Sequence, residues 1–334
     1  MPVRTENPPR HAEERTVPEV MNAAAIDHFG GPEVLTLHRL PVPTLDHGEV
    51  LIALHAAGVG SWDADMRAGW HPDGKPKFPL VLGTDGAGTV AAMGAHVRRF
   101  RVGEAVYSYS FNNPKGGFYA EYVAVDADKV APVPRGLDFL KAGAIPTTGL
   151  TAIQGIDDAL QVKSGEQVII HGGSGGVGTL AIQFAKLRGA SVLATASGED
   201  GLALVRKLGA DVAVDGRSGN IAAAARAFAP NGVDAVLGLA GGEAFEACIE
   251  AVRVDGRVAW PNGVEPSPGK RHGIRMVAYD AIAGVREFQH LGTAIEAAQL
   301  EVPITAKFSL ADAAKAHQRL SKEHVRGKIV LRVR

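Results

Sequence analysis

The sequence predicts an α/β protein in which a doubly wound parallel sheet is joined to a second, mostly β domain. Three observations support this fold class: a glycine-rich turn between an apolar strand and a helix, alternating strands and helices after that turn, and a series of short strands before it. The 334 residues are more than one hydrophobic core usually holds, so two domains are expected.

The glycine-rich turn at residues 172–178 is the most informative feature of the chain. Gly173, Gly175 and Gly178 match the pattern G-x-G-x-x-G, in which glycines allow a tight turn and let the main chain approach a pyrophosphate. A helix with apolar residues at helical spacing follows at residues 179–186. Its N–H groups and positive dipole end would attract the phosphates, so the turn predicts a dinucleotide site.

The same turn permits a second interpretation. Gly172, Ser174 and Gly176 match the pattern G-x-S-x-G of the nucleophile elbow, which also lies between a strand and a helix. Ser174 would then be the nucleophile of a serine hydrolase. In the first interpretation Ser174 is a small residue of the phosphate loop, and the elements after the turn favour that interpretation.

Apolar strands and helical segments alternate after the turn. We predict strands at residues 189–197, 211–214, 233–239 and 257–260, and helices at 202–208, 221–228 and 243–252. One strand and one helix recur about every 20 residues, which is typical of a doubly wound nucleotide-binding domain. The sequence therefore predicts a parallel sheet that is covered by helices on both faces.

Residues 22–130 show a different pattern, in which short strands are separated by glycine or proline. The predicted strands are residues 23–26, 35–37, 50–57, 89–93, 105–109 and 118–125. They indicate a small, mostly β domain, such as a partly open barrel. A last strand at residues 327–333, preceded by a helix at 310–320, is expected to return to this domain.

Composition limits the function classes. The formal net charge is −1, with 46% hydrophobic and 21% charged residues, which is typical of a soluble globular protein and gives no reason to expect nucleic acid or a membrane as partner. The first 20 residues contain four prolines and no apolar block, so we expect a disordered extension, no signal peptide and a cytoplasmic location. Cys248 is the single cysteine, which excludes disulfides and cysteine-based zinc sites.

Motifs along nearly the whole chain carry a resemblance to one family. They are FGGPEVL at 29–35, HAAGV at 55–59, LGTDGAGTV at 82–90, FRVGEAVY at 100–107, GFYAEY at 117–122, GLTA at 149–152, the glycine turn, and GKIVL at 327–331. From Met21 to Val333 the chain resembles the medium-chain dehydrogenase/reductase superfamily, in its zinc-less quinone oxidoreductase (zeta-crystallin-like) branch.

The resemblance implies a domain organisation. It predicts a GroES-like substrate domain at residues 21–145, completed by 304–334, and a Rossmann dinucleotide-binding domain at 146–303, after a disordered extension at 1–20. The active site would be the cleft between the two domains. Loops 62–78 and 110–116, with Trp70, Phe111 and the directly preceding Tyr109, are expected to line it. A homodimer is also implied.

The chain departs from the family pattern at the positions that bind zinc in zinc-dependent relatives. Zinc-dependent relatives have His-Glu where this chain has Thr84-Asp85, and a cysteine in the stretch that corresponds to residues 60–63. A catalytic zinc is therefore not expected, and no metal-binding residue is assigned. Asp63 does match the family, where it either contacts the substrate or caps and packs a short helix.

The cofactor prediction depends on the end of the second strand. A carboxylate there would bind the ribose 2′-hydroxyl of NAD, but this chain has Ala196, followed by Ser197, which can donate to phosphate. We predict NADPH in preference to NADH, although the lysine that NADP-using relatives often have is Gly201 here. The candidate cofactor residues are Gly173, Ser174, Gly175, Gly176, Val177, Gly178, Thr195, Ser197, Leu239, Ala240, Pro261, Asn262, Gly263 and Lys328.

The absence of zinc also restricts the reaction that is expected. Oxidation of a simple alcohol requires a Lewis acid or strong base, whereas hydride addition to a quinone or an α,β-unsaturated carbonyl requires mainly positioning and hydrogen-bond donors. The catalytic candidates are Thr151, at the start of its helix, Lys328 and Asp63. The alternatives are the serine hydrolase that uses Ser174 and a non-catalytic crystallin or RNA-binding member of the family.

Overall fold

The computed structural model describes residues 17–71, 74, 76–322 and 325–334. Within these residues the chain forms a mixed sheet, a parallel sheet and a small antiparallel sheet. Helices cover the parallel sheet, and the mixed sheet comes mostly from the first part of the chain. The predicted fold class is confirmed.

The first part of the chain is built mainly of strands. Its elements are β1 (Val20–Ile26), β2 (Thr36–Pro41), β3 (Glu49–Val59), α1 (Ser61–Ala68), β4 (Leu80–Val81), β5 (Asp85–Met93), β6 (Ala105–Tyr109), β7 (Tyr122–Asp126) and β8 (Val130–Pro132). Strand β1 pairs antiparallel with β2 and β4, and β3 pairs antiparallel with β5 and β7. The sheet continues from β5 through β6 to β8.

Two helices lead from the mixed sheet to the parallel sheet. They are α2 (Phe139–Ala144) and α3 (Pro146–Gln154), and α3 continues as a π-helical turn at Gly155–Ala159. All nine residues of α3 are buried. This burial agrees with the sequence, because α3 carries no charged side chain that would need water.

The parallel sheet follows. Its elements are β9 (Gln167–His171), α4 (Gly178–Leu187), β10 (Ser191–Ala196), α5 (Gly198–Lys207), β11 (Val212–Asp215), α6 (Ile221–Phe228), β12 (Val233–Gly238), α7 (Glu243–Ile249), β13 (Val252–Pro261), β14 (Arg275–Tyr279) and α8 (Val285–Ala298). In the described part of the chain, six strands lie in the order β11-β10-β9-β12-β13-β14, and every neighbouring pair is parallel. The helix predicted at 243–252 ends at Ile249, because Val252 already pairs with Val233 as the start of β13.

The end of the chain returns to the first sheet, as expected. The last elements are β15 (Ile304–Ser309), α9 (Ala313–Lys322) and β16 (Lys328–Arg332). Strand β16 pairs antiparallel with β3 and parallel with β15. The mixed sheet is therefore completed by residues that are about 270 positions away in sequence from β3.

The predicted domain limits remain a prediction. Most of the disordered extension predicted for residues 1–20 falls on residues 1–16, which lie outside the described part of the chain. Its last residue is corrected by the structure, because Val20 pairs with Pro41 as the first residue of β1. In the described part of the chain, we found no helix with both the length and the apolar character that crossing a membrane requires.

Strand β16 is strongly buried, which makes it a sensitive test of the fold. Leu331 is fully buried among residues of β1 and β3, together with Ala313 and Ala316. We expect Leu331→Ala to lower the free energy of unfolding by about 2–5 kcal/mol, because it leaves a cavity in this core. Urea denaturation measures the change. Val102→Ala, at a side chain that is 66% exposed, is the control, and we expect a change within about 0.5 kcal/mol.

Candidate active site

The residues predicted to bind the cofactor meet at one edge of the parallel sheet. Because neighbouring strands are parallel, the loops that follow β9, β10, β12 and β13 all leave from this edge. In this class of sheet, ligands bind outside the carboxyl ends of the strands. The structure thus brings together the glycine loop, the end of β10, Leu239–Ala240 and residues 261–263.

The glycine loop is held tightly against β10. The N–H of Gly173 donates to the carbonyl of Thr195 at 2.7 Å, and the N–H of Gly172 donates to the Thr195 hydroxyl at 3.0 Å. A Cβ atom on Gly178 would lie 2.3 Å from the carbonyl oxygen of Gly172, which is too close for any other residue. Thr195, predicted to bind the cofactor, therefore also anchors the loop.

The other side of the loop has main-chain donors that the fold does not use. In the described part of the chain, the N–H groups of Gly176 and Val177 donate to no main-chain carbonyl. A Cβ atom on Gly175 would meet only the carbonyl of Gly172, at 3.4 Å. Unpaired N–H groups at the start of α4, beside open space, fit the phosphates of a dinucleotide.

Ser174 lies in this loop and is 2% exposed. Its carbonyl accepts the N–H of Gly327 at 2.8 Å, which ties the glycine loop to the segment before β16. His171, the nearest histidine along the chain, shares a hydrogen bond of 2.8 Å between its Nδ1 and the Thr195 hydroxyl. Burial lowers the pKa of His171 to about 4, and its ring helps to hold the loop.

Lys328 joins the glycine loop to the mixed sheet. Its Cδ lies 2.9 Å from the position that a Cβ on Gly176 would occupy. Its Nζ donates to the carbonyl of Val59 at 3.3 Å and lies 5.5 Å from the centre of the Trp62 ring. The side chain is 4% exposed, so this predicted catalytic and cofactor residue places a buried positive charge beside the glycine loop.

The positions at which zinc-dependent relatives have ligands make hydrogen bonds within the protein here. The indole Nε1 of Trp62 donates to the Thr84 hydroxyl at 2.7 Å, and the N–H of Thr147 donates to Asp85 Oδ2 at 2.9 Å. Burial raises the pKa of Asp85, and the nearby Lys328 charge partly opposes this. Among the described residues, no group of three or more His, Cys, Asp or Glu side chains has an arrangement that could hold a metal ion.

Asp63 is the end of a buried chain of polar side chains. Asp63 Oδ2 accepts the N–H of Gly60 at 2.8 Å and the hydroxyl of Tyr119 at 3.0 Å. The Tyr119 hydroxyl lies 3.1 Å from His317 Nε2, and His317 Nδ1 lies 2.7 Å from Arg67 Nη1. Arginine can only donate, so His317 accepts at Nδ1, carries its proton at Nε2 and donates to Tyr119.

The environment of this chain shifts the pKa values of its members. Burial raises the pKa of Asp63 to about 7, with a further contribution from the negative charge of Asp85. Burial and the Arg67 charge lower the pKa of His317 to about 3, so the ring is neutral at pH 7. In the described part of the chain, Asp63 Oδ1 has no hydrogen-bond partner. Asp63 caps α1 and is fully buried, which bears out the capping alternative and leaves its catalytic role a prediction.

The sequence predicts Thr151 at the start of its helix, and this prediction is wrong. Helix α3 begins at Pro146, and the Thr151 hydroxyl donates to the carbonyl of Thr147 within it at 2.8 Å. The carbonyl of Thr151 accepts the hydroxyl of Tyr279 at 2.8 Å. Asn262 is also engaged, because its Nδ2 donates to Asp280 Oδ2 at 2.7 Å. The roles proposed for Thr151 and Asn262 remain predictions.

The two loops expected to line the cleft do approach each other. Trp70 and Phe111 lie with ring centres 5.9 Å apart, and the Trp70 side chain is 52% exposed. Tyr109 pairs with Asp85 at the end of β6, and burial raises the pKa of its hydroxyl, with further contributions from Asp85 and Asp280. The sequence predicts Tyr109 as a loop aromatic, whereas it is the last residue of strand β6.

Comparison with known proteins agrees with this geometry. Residues 46–135 match the alcohol dehydrogenase GroES-like domain, and residues 208–331 match the zinc-binding dehydrogenase domain. The quinone oxidoreductase of Sus scrofa is 40% identical over 188 residues, which are 56% of this chain and 56% of that protein. The chain therefore matches little more than half the length of this curated relative.

Solved structures match over nearly the whole chain. The quinone oxidoreductase of Coxiella burnetii is 33% identical, with a TM-score of 0.85, over 94% of this chain and 100% of that one. A mycobacterial protein solved with NADPH is 30% identical, with a TM-score of 0.83, over 94% of this chain and 100% of that one.

A parallel sheet with a glycine loop at its carboxyl edge, beside a mixed sheet that is completed by the end of the chain, defines the dehydrogenase class of dinucleotide-binding folds. Within that class, the match to whole chains identifies the family. The chain belongs to the medium-chain dehydrogenase/reductase family, in its quinone oxidoreductase branch. The resemblance seen in the sequence is confirmed.

The pKa of Asp63 predicts a pH dependence of stability. The folded-state pKa of about 7 lies above the ordinary value of 3.8, so the stabilising contribution is complete below pH 3.8 and is lost as the pH rises through 7. Asp63→Asn resembles the protonated side chain but does not titrate. We expect the unfolding temperature of the native protein to fall relative to that of Asp63→Asn as the pH rises from 5 to 8.

The comparison with Asp63→Asn also removes the contribution of His317, whose pH dependence has the opposite sign. His317 is neutral in the fold, so its contribution is present above pH 6.5 and is lost as the pH falls below that value. Both proteins retain His317, so the difference between their unfolding temperatures reports on residue 63. A difference that stays constant from pH 5 to pH 8 would mean that Asp63 ionises normally.

Proposed function

We propose that the protein is an NADPH-dependent oxidoreductase that transfers hydride to a quinone or an α,β-unsaturated carbonyl compound without a catalytic metal. The observation that carries the proposal is the pair of unused N–H groups at Gly176 and Val177, at the start of α4 and beside the open position at Gly175. The relative solved with NADPH and the relatives named quinone oxidoreductase support it.

The residues of the glycine loop fit a dinucleotide. Residues 175–177 would bind the pyrophosphate, and the nicotinamide, when bound, supplies the hydride. Lys328, which reaches from the loop to Val59 and Trp62, would place its positive charge near the cofactor and the acceptor. The chain itself would therefore bind and orient the cofactor and the acceptor, and it would exclude water. Hydride transfer to a conjugated acceptor requires these contributions.

The side chains at the positions of the relatives' zinc ligands support a reaction without metal. Thr84 occupies a position where zinc-dependent relatives have histidine, and its hydroxyl accepts the indole N–H of Trp62. Asp85 accepts the N–H of Thr147 and lies near the Lys328 charge. One buried carboxylate and a hydroxyl make a poor site for zinc, which prefers cysteine and histidine. Acceptors whose conjugation spreads the developing charge do not need such a Lewis acid.

The two alternatives have less support. A serine hydrolase requires a histidine that can act as base for Ser174, but His171 is bound to Thr195 and its pKa is low. A non-catalytic binding protein would show no NADPH consumption with a quinone or an enone, even where it binds the nucleotide. The homodimer, the cytoplasmic location and the absence of nucleic-acid and membrane partners remain predictions.

Nucleotide binding and turnover test the proposal. We expect NADPH to change the intrinsic fluorescence of the protein on titration, and NADPH absorbance to fall when a quinone or an enone is added. Equal activity after dialysis against a strong chelator would support the reaction without metal. The proposal fails if neither nucleotide binds. Hydrolysis of a simple ester that Ser174→Ala abolishes would instead favour the hydrolase.

Gly175 offers a sharper test of the phosphate site. An added Cβ makes only an ordinary contact of 3.4 Å with the protein, so we expect Gly175→Ala to fold with near-native stability. The same methyl group would occupy the space for the pyrophosphate, and we expect the dissociation constant for NADPH to rise by about tenfold or more. Fluorescence titration measures it.

The control for this variant is a glycine at an open site elsewhere. A Cβ on Gly48 would meet nothing within 4 Å, so Gly48→Ala should leave both stability and nucleotide binding unchanged. Unchanged NADPH binding in Gly175→Ala would mean that the pyrophosphate does not approach this part of the loop.

A further inference from the structure

We propose that Arg326 binds the ribose 2′-phosphate of NADPH and thereby selects this nucleotide over NADH. The proposal rests on the proposed function, because it requires that the glycine loop bind a dinucleotide. It adds a positive charge, from the end of the chain, to the phosphate donor that the sequence predicts at Ser197.

The end of β10 has no cation of its own that could bind a phosphate. Ala196 replaces the carboxylate that would bind a 2′-hydroxyl, and Gly201 stands where a lysine would bind phosphate. A Cβ on Gly201 would lie 3.3 Å from Ala196 Cβ and 3.5 Å from Ser174 Oγ. The glycine loop, the end of β10 and the start of α5 therefore meet at one place, where the adenosine ribose lies in this class of sheet.

Arg326 reaches this place from the segment before β16. The hydrogen bond from the N–H of Gly327 to the carbonyl of Ser174, 2.8 Å long, fixes this segment against the glycine loop. Arg326 Nη2 lies 2.9 Å from Oδ2 of Asp200, in the first turn of α5. The guanidinium group is thus held between the glycine loop and the helix that follows the end of β10.

The surrounding negative charges mean that a phosphate can bind here only beside a cation. Glu199 and Asp200 lie in the first turn of α5, and Asp215 lies at the end of the neighbouring strand β11. Asp215 accepts the N–H groups of Gly198, Arg217 and Ser218, which lower its pKa to about 2 and keep it negative. Without a positive charge, these carboxylates would repel a 2′-phosphate.

The ion pair between Arg326 and Asp200 can be exchanged for a stronger one. Its side chains are 39% and 79% exposed, and exposed pairs of this kind contribute little. A phosphate offers a guanidinium group two parallel, charge-assisted hydrogen bonds. Arg326 is therefore positioned before the nucleotide binds, and its release from Asp200 requires little free energy.

The test compares NADPH and NADH binding by fluorescence titration. We expect Arg326→Gln to raise the dissociation constant of NADPH by about tenfold or more and to change that of NADH by no more than about twofold. Arg326→Lys, which keeps the charge but not the paired hydrogen bonds, should fall between the native protein and Arg326→Gln. Asp200→Asn should tighten NADPH by a few-fold, because it frees Arg326 and removes a negative charge.

The matched control removes one positive charge from the other end of α5. Arg206 is exposed in the last turn of this helix, and Arg206→Gln should leave the ratio of the two dissociation constants unchanged. The proposal is overturned if Arg326→Gln leaves the ratio unchanged, including the case in which both nucleotides weaken equally. If the native protein binds neither nucleotide, the proposed function itself fails, which is a different result.

Discussion

The candidate site depends on the closure of the glycine loop against β10. Two hydrogen bonds to Thr195 hold Gly172 and Gly173, and the close approach of Gly178 to the carbonyl of Gly172 leaves no room for a side chain. These contacts use the donors on one side of the loop and leave those of Gly176 and Val177 available on the other. A phosphate site of this kind is therefore a consequence of how tightly the main chain folds, not of any charged side chain.

The end of the chain connects this loop to the rest of the molecule. Strand β16 pairs with β3 in the mixed sheet, while Gly327 and Lys328, at its start, contact Ser174 and the Gly176 position of the loop. One short segment thus contacts both the mixed sheet and the glycine loop of the parallel sheet. Because its main chain is fixed at both places, the positions of Arg326 and Lys328 relative to the loop are set by the fold and not by flexible side chains alone.

Much of the fold could be predicted from local patterns, but the polar contacts could not. The glycine loop and the strands β9, β10, β11 and β12 follow from apolar runs and their spacing. Strand β14 and helix α8 were not predicted. The segment before β14 is polar and rich in glycine and proline, and this composition hides the alternation of strands and helices. The chain from Arg67 through His317 and Tyr119 to Asp63 joins three distant segments, and no local signal pairs residues 250 positions apart. Similarly, the family resemblance placed Thr151 at the start of its helix, whereas Pro146 begins it.

The buried charges of Asp63, Asp85 and Lys328 can be understood together. Asp63, Asp85 and Lys328 are each at most 4% exposed, and separate burial of three charges would be very unfavourable. Burial raises the pKa of both carboxyl groups, and the Lys328 charge opposes that rise at each of them. One carboxylate beside one ammonium group is close to electrically neutral, so a proton on Asp63 balances the cluster. The same balance explains why Asp63 can cap α1 without an ionic partner of its own.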